Sequence, residues 1–108
     1  MAATDYLINF DALNYLRVHI LAERGRVVEF TAQYEAEIGG VVYPVVRYDT
    51  AHGYPHRDLL DGAGRNVDKF WLAGWEAGAA LDHAIRDLKA NWRQYRADFL
   101  ARLAAGEE

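Results

Sequence analysis

The chain has 108 residues, of which 52% are hydrophobic and 13% aromatic, enough apolar surface for one core and too little length for two. The composition excludes a disordered chain, and the absence of cysteine excludes a disulfide frame, a thiolate nucleophile and a thiolate zinc site. A formal charge of −4 runs against the basic excess of a general nucleic-acid coat protein, though it leaves room for a local basic patch.

The opening "DYLINFDALN" reads either as a short helix or as an added strand, and the first dozen residues, like the closing "AAGEE", carry little to hold them. No basic, apolar leader precedes Asp5, and no apolar run approaches the roughly 20 residues a bilayer requires. The expectation is a single soluble cytoplasmic domain with no membrane contact. From Tyr15 to Ala22, Leu16, Val18 and Ile20 alternate with Arg17 and His19, the period of a half-buried strand. Gly25 permits a turn. In "VEFTAQYEAEI", Val28, Phe30, Ala32, Tyr34, Ala36 and Ile38 alternate with Glu29, Thr31, Gln33, Glu35 and Glu37, which makes a long strand with one apolar and one acidic-polar face.

Gly39 and Gly40 supply the two positive φ values of a primed hairpin turn. "VVYPVVRYD" follows as a third strand, in which Pro44 cannot donate to a ladder and so marks an edge or a bulge. "RDLLD" and "NVDKFWL" then flank Gly62-Ala63-Gly64 as a further hairpin. From about Gly74 the period changes. Leu81, Ile85, Leu88, Trp92, Tyr95, Phe99 and Leu103 form the stripe of one long amphipathic helix, with Glu76 and Asp82 toward its start and Arg93, Arg96 and Arg102 toward its end. The order predicts an α+β domain, an antiparallel sheet of four to five strands with one long C-terminal helix packed across one face. One helix covers one face, so a homodimer is expected to bury part of the other.

The chemistry concentrates in "RYDTAHGYPHRD", residues 47 to 58, where a strand ends in a Gly/Pro loop. His52 and His56 stand four apart, up to ~13 Å along an extended loop, and converge only if Gly53 lets the loop curl. Metal-free phosphodiester cleavage needs such groups. One imidazole takes a proton from the attacking hydroxyl, another protonates the leaving oxygen, and cations hold the developing charge. On this reading His52 and His56 share proton transfer, Arg47 binds phosphate together with Arg57, and Asp49 orients an imidazole, with His19 a third candidate on the same side as Arg47. No cofactor is then required. A metal site would instead use His52, His56, Asp49 and Asp58, and a purely structural reading makes Arg47 and Asp49 an ion pair at a strand end. Arg86, Lys89, Arg93 and Arg96 recur at three-four-three spacing as a basic row on the helix. Lying beside the loop, it would guide an RNA backbone to the histidines. Lying elsewhere, its stems snorkel over the sheet edge. Trp71, Trp75 and Trp92 read as core rather than as stacking platforms, and His83 as an exposed residue on the helix flank.

The segment "YPVVRYDTAHGYPHRDLLD", with "VEFTAQYE" before it and "DHAIRDLKANWRQYRADFL" after it, resembles a small uncharacterised prokaryotic family of similar length. That family is similar to the TumE-type toxins of toxin–antitoxin pairs. Arg47, Tyr48, Asp49, His52, Pro55 and His56 match the toxin pattern, whereas Thr50, Gly53 and Asp58 stand where it carries an asparagine and two histidines. The resemblance implies a toxin-like protein, a ribonuclease activity and a helix-turn-helix antitoxin as partner.

Overall fold

The computed structural model describes residues 1–106, apart from the side chain of His52. Six strands run in chain order across a single antiparallel sheet: β1 (Ala2–Asn9), β2 (Asn14–Glu23), β3 (Arg26–Ile38), β4 (Val41–Asp49), β5 (His56–Leu60) and β6 (Asn66–Trp71). One helix, α1 (Ala77–Gly106), closes the chain and packs against the middle strands β3 and β4. The α+β architecture agrees with the sequence expectation, with one or two strands more.

The added strand is β1. "AATDYLIN" pairs residue for residue with β2, from Ala2 opposite Ala22 to Asn9 opposite Tyr15. Ala2 to Asn9 are therefore tied into the sheet and not loosely held. Phe10, just beyond β1, explains the anchoring: its ring stacks on Trp92 at 5.3 Å and tilts against Tyr34 at 5.8 Å. Asp11 completes the corner by accepting hydrogen bonds from Leu13 N and Asn14 Nδ2, while Asn14 Oδ1 accepts one from the buried Tyr34 hydroxyl at 2.5 Å. An aromatic cluster and a satisfied polar pair hold the turn to the helix.

Side-chain alternation assigns the two faces. Leu16, Val18, Phe30, Ala32, Tyr34, Ala36, Val46 and Tyr48 lie buried under α1, against Ala80, Leu81, Ala84, Leu88, Trp92 and Phe99. The helix stripe read from the sequence is the packed one. Its charges behave differently from the expectation, since neither an acidic residue in the first turn nor a basic one in the last complements the helix dipole. Glu76 precedes the helix and pairs instead with Arg26 at 3.7 Å.

Gly39 and Gly40 both have positive φ, 60° and 79°, the two-residue primed turn that the sequence requires between β3 and β4. Of the two alternatives for Pro44 the structure shows the bulge, since β4 lies inside the sheet between β3 and β5. The β3–β4 register shifts between Tyr34 and Glu35, which pair with Val46 and Pro44 and leave Val45 as the extra residue of a bulge. Pairing with β5 begins only at Val46, so Pro44 has no neighbour on its far side whose carbonyl lacks a donor. No helix among the described residues is long and apolar enough to cross a membrane.

Candidate functional site

Strand register decides which of the sequence's polar residues meet. On the sheet face away from α1, one row crosses the strands as Asp5, His19, Thr31, Asp49, His56 and Trp71, each opposite the next. A second row, two residues along, runs Leu7, Arg17, Gln33, Arg47, Asp58 and Lys69. Neighbouring strands lie about 4.8 Å apart, so adjacent members of a row are in side-chain contact range.

Where the rows cross β4 and β5, three groups converge. His56 Nε2 lies 3.0 Å from Asp49 Oδ1 and 3.4 Å from Asp58 Oδ2. One ligand atom from each residue falls within 4.8 Å of the others. His56 Nδ1 is 3.0 Å from the Tyr54 carbonyl, an oxygen that can only accept, so Nδ1 carries the proton. That leaves Nε2 facing two carboxylates. Its lone pair requires a cation between it and the oxygens, either a proton or a metal ion. The cluster is covered despite lying on the open face: His56 is 2% exposed and Asp58 7%. Trp71, whose ring centroid is 5.1 Å from that of His56, forms part of the cover. Asp49 Oδ1 also accepts the Ala51 amide at 2.9 Å, which ties the strand end to the loop. Lys69 Nζ stands 3.1 Å from Asp58 Oδ1 as an ion pair without hydrogen-bond alignment, so this buried oxygen has no hydrogen-bond donor among the described residues.

A groove of about 550 Å³ adjoins the cluster, lined among others by His19, Glu29, Thr31, Asp49, Thr50 and Trp75. Asp49 is the member of the trio that reaches it.

The other predicted site residues separate. Arg47 shares the face of Asp49 but does not pair with it; its Nε donates to Gln33 Oε1 at 2.7 Å. The side chain of His52 lies outside the described residues. Arg57 is on the wrong face for a phosphate clamp beside His56, because consecutive strand residues point to opposite sides. It reaches α1 instead, donating to the Tyr95 hydroxyl at 3.3 Å and pairing with Asp68 at 3.7 Å. Arg86, Lys89, Arg93 and Arg96 ride on α1, across the sheet from the cluster, and cannot lead a ligand to it. Arg93 covers Trp92, with its guanidinium 4.5 Å from the ring. His19 is two strands from the trio in the first row and is engaged by Asp5 at 2.7 Å. Of the tryptophans only Trp92 is core; Trp71 and Trp75 are 47% and 44% exposed. His83 is half-buried between the edges of Tyr48 and Trp75.

Lys69 and Trp71 were missed by sequence reasoning. Their signal was the alternation in "NVDKFW" combined with the β5–β6 register, which places Lys69 opposite Asp58 and Trp71 opposite His56.

The family model described as Domain of unknown function (DUF7718) matches residues 1–105. The chain belongs to this family. The DUF7718 match carries no link to the TumE-type toxins, so the family resemblance read from the sequence holds at the level of an uncharacterised domain. No curated protein and no solved structure matches the chain.

Two residues beyond Gln33 on β3, Glu35 is a buried acid of this DUF7718 domain with a basic partner, Arg17. Burial pushes the Glu35 carboxyl up, but hydrogen bonds from Arg17, Gln33 and Tyr15 together outweigh it and hold the group below its ordinary value of 4.5. Arg17 Nε and Gln33 Nε2 donate to Glu35 Oε2 at 3.1 and 2.7 Å. A depressed carboxylate stabilises the fold above the unfolded-state value and loses that contribution as pH falls through the folded-state value. Glu35→Gln is therefore expected to cost about 1 kcal/mol at neutral pH. The deficit relative to wild type should shrink as pH drops below 4.5, measured by urea unfolding at a series of pH values.

Proposed function

We propose that this protein is a metal-binding domain whose site is formed by Asp49, His56 and Asp58. The observation that carries the reading is the placing of His56 Nε2, with Nδ1 committed to the Tyr54 carbonyl, between two carboxylate oxygens. Tetrahedral bonds of about 2.1 Å give ligand–ligand edges of about 3.4 Å, close to the 3.0 and 3.4 Å separations here. The unaligned Asp58 Oδ1 is a further buried acceptor in the same site. One imidazole nitrogen with carboxylate oxygens suits Zn²⁺ or Mn²⁺, whereas Ca²⁺ takes six to eight oxygens. The Tyr54 carbonyl supplies the outer hydrogen bond that fixes the tautomer of a metal-binding histidine. Two carboxylates cancel a divalent charge and leave Lys69 and Arg47 as a positive flank, so an anionic ligand would suit the remaining coordination position.

The test is thermal unfolding with Zn²⁺, Mn²⁺ or Ca²⁺ added. At a hundredfold excess over Kd a ligand adds about 2.7 kcal/mol, a Tm rise on the order of 10 °C. Zn²⁺ or Mn²⁺ should produce it, Ca²⁺ should not, and Asp58→Asn and His56→Ala should each abolish it while His19→Ala retains it. No shift with any ion, or an undiminished shift in both site variants, sinks the reading.

The alternative of a metal-free, toxin-like ribonuclease rests on Arg47 and Lys69 flanking Asp58 in the second row. It asks a histidine that is 2% exposed to exchange protons with an RNA hydroxyl, and that cover weighs against it. RNA cleavage by chelator-treated protein, lost in His56→Ala, would restore it.

A further inference from the structure

The two edges of the sheet are managed differently. An edge strand presents unpaired N–H and C=O groups, and proteins blunt such edges with short strands, charges, proline or bulges. β6 is blunted: it has six residues, centres on Asp68 and Lys69, and its pairing with β5 is interrupted by a register shift. β1 has eight residues in continuous register with β2, contains neither proline nor lysine, and is exposed at every residue but Ile8. Its single charge, Asp5, is taken by His19 at 2.7 Å.

We infer that β1 pairs antiparallel with β1 of a second copy of this chain, joining the two sheets into one, with Tyr6 on the two-fold axis. A two-fold axis perpendicular to the sheet keeps each side chain on its own face, so a residue can only oppose a residue of the same parity. The two longest such overlaps place either Asp5 or Tyr6 on the axis. The first sets Asp5 against the partner's Asp5, a like-charge pair in direct opposition. The second sets Tyr6 against the partner's Tyr6, Asp5 against the partner's Leu7, Thr4 against the partner's Ile8 and Ala3 against the partner's Asn9, with no like charges opposed. For β6 the same rule puts Asp68 or Lys69 on the axis, so either long register opposes like charges. Charge therefore selects β1 over β6 and Tyr6 over Asp5. A β1-to-β6 contact would be head-to-tail and open-ended, producing fibres rather than a closed dimer. This pairing involves no member of the Asp49–His56–Asp58 site.

The chain contains no cysteine, so single thiols report the contact without background. The mass of the wild type in solution, by sedimentation equilibrium, should be twice that of the chain. Tyr6→Lys, which sets two ammonium groups on the axis, should shift the mass to that of one chain, with its circular dichroism spectrum confirming a folded sheet. Tyr6→Cys should oxidise to a covalent dimer at micromolar concentration, whereas Phe70→Cys on β6 should not. A monomeric wild type, polymers beyond the dimer, or cross-linking at position 70 equal to that at position 6 overturns the inference. The cysteine pair decides the matter even where Tyr6→Lys fails to fold.

Discussion

Phe99→Ala is expected to lower the free energy of unfolding by about 3–5 kcal/mol, a large share of the total for a domain of this size. Phe99 is fully buried and packs its ring against Tyr43 at 5.5 Å, where the far half of α1 crosses β4. Arg102, one turn on, lays its guanidinium 5.8 Å from the same ring and donates Nε to the Leu60 carbonyl at 3.2 Å. Truncation leaves a cavity between helix and sheet that neither the strand ladder nor the helix backbone can collapse to fill. Urea unfolding followed by tryptophan fluorescence measures it, since Trp92 lies in the same core. Phe70→Ala provides the contrast. That ring is 55% exposed on β6 and its main contact is the Arg57 guanidinium at 5.5 Å, so the cost should stay near 1 kcal/mol or less. Equal losses in the two variants would mean that α1 is not seated as described.

The second large effect is expected at Asp87, which fastens the middle of α1 to the sheet. Its Oδ2 accepts hydrogen bonds from the hydroxyls of Tyr48 at 2.7 Å and Tyr95 at 2.5 Å, and its Oδ1 accepts from Asn91 at 2.7 Å. Asp87→Ala strips two phenols of a charged acceptor at about 1.5 kcal/mol each, a loss of about 3 kcal/mol, while Asp87→Asn keeps an acceptor and should lose less. The same network gives an alkaline signature. Burial first, and then the hydrogen bond to Asp87, push the Tyr95 hydroxyl up to about 12 and that of Tyr48 further still. An acid whose folded-state value is raised stabilises the fold fully below its unfolded value of 10.0, and that contribution is lost as pH climbs from there toward the folded-state value. Wild-type stability should therefore fall above pH 10, and the share of the tyrosinate absorbance that Tyr48→Phe and Tyr95→Phe remove should appear together with unfolding rather than before it. That share forming in folded protein at pH 10 would show that the two hydroxyls are not so held.

Much of this architecture was legible because it rests on local periodicity. The alternation from Val28 to Ile38, the Gly39-Gly40 turn and the stripe from Leu81 to Leu103 each depend on residues a few positions apart, and each appears in the structure. β1 was ambiguous for the same reason. "DYLINFDALN" alternates weakly, and what fixes it as a strand is its pairing with β2 and the stacking of Phe10 on Trp92, a residue far away in the chain. The helix charges mislead in the opposite direction: Glu76 precedes α1, and Asp82, Arg93, Arg96 and Arg102 lie in suitable halves of it but outside its terminal turns, where the dipole acts.

For the candidate site the division is sharper. The residues "RYDTAHGYPHRD" announce polar chemistry by composition alone, and Asp49, His56 and Asp58 were named as ligands on that ground. Separating Arg57 from His56 needs only the strand period, once β5 is known to begin at His56 rather than after it. Removing the basic row of α1 from the site needs the helix to be placed on one particular face of the sheet. The sequence by itself determined β2 to β6 and α1, their order and the apolar stripe of the helix, because these follow from backbone sterics and side-chain periodicity over a few residues. Only the tertiary structure decided which carboxylates face His56, that Lys69 and Trp71 complete its surroundings, and that β1 is left as an open edge. Those are consequences of strand register and of which face the helix covers, and both are set by the packing of the whole core at once.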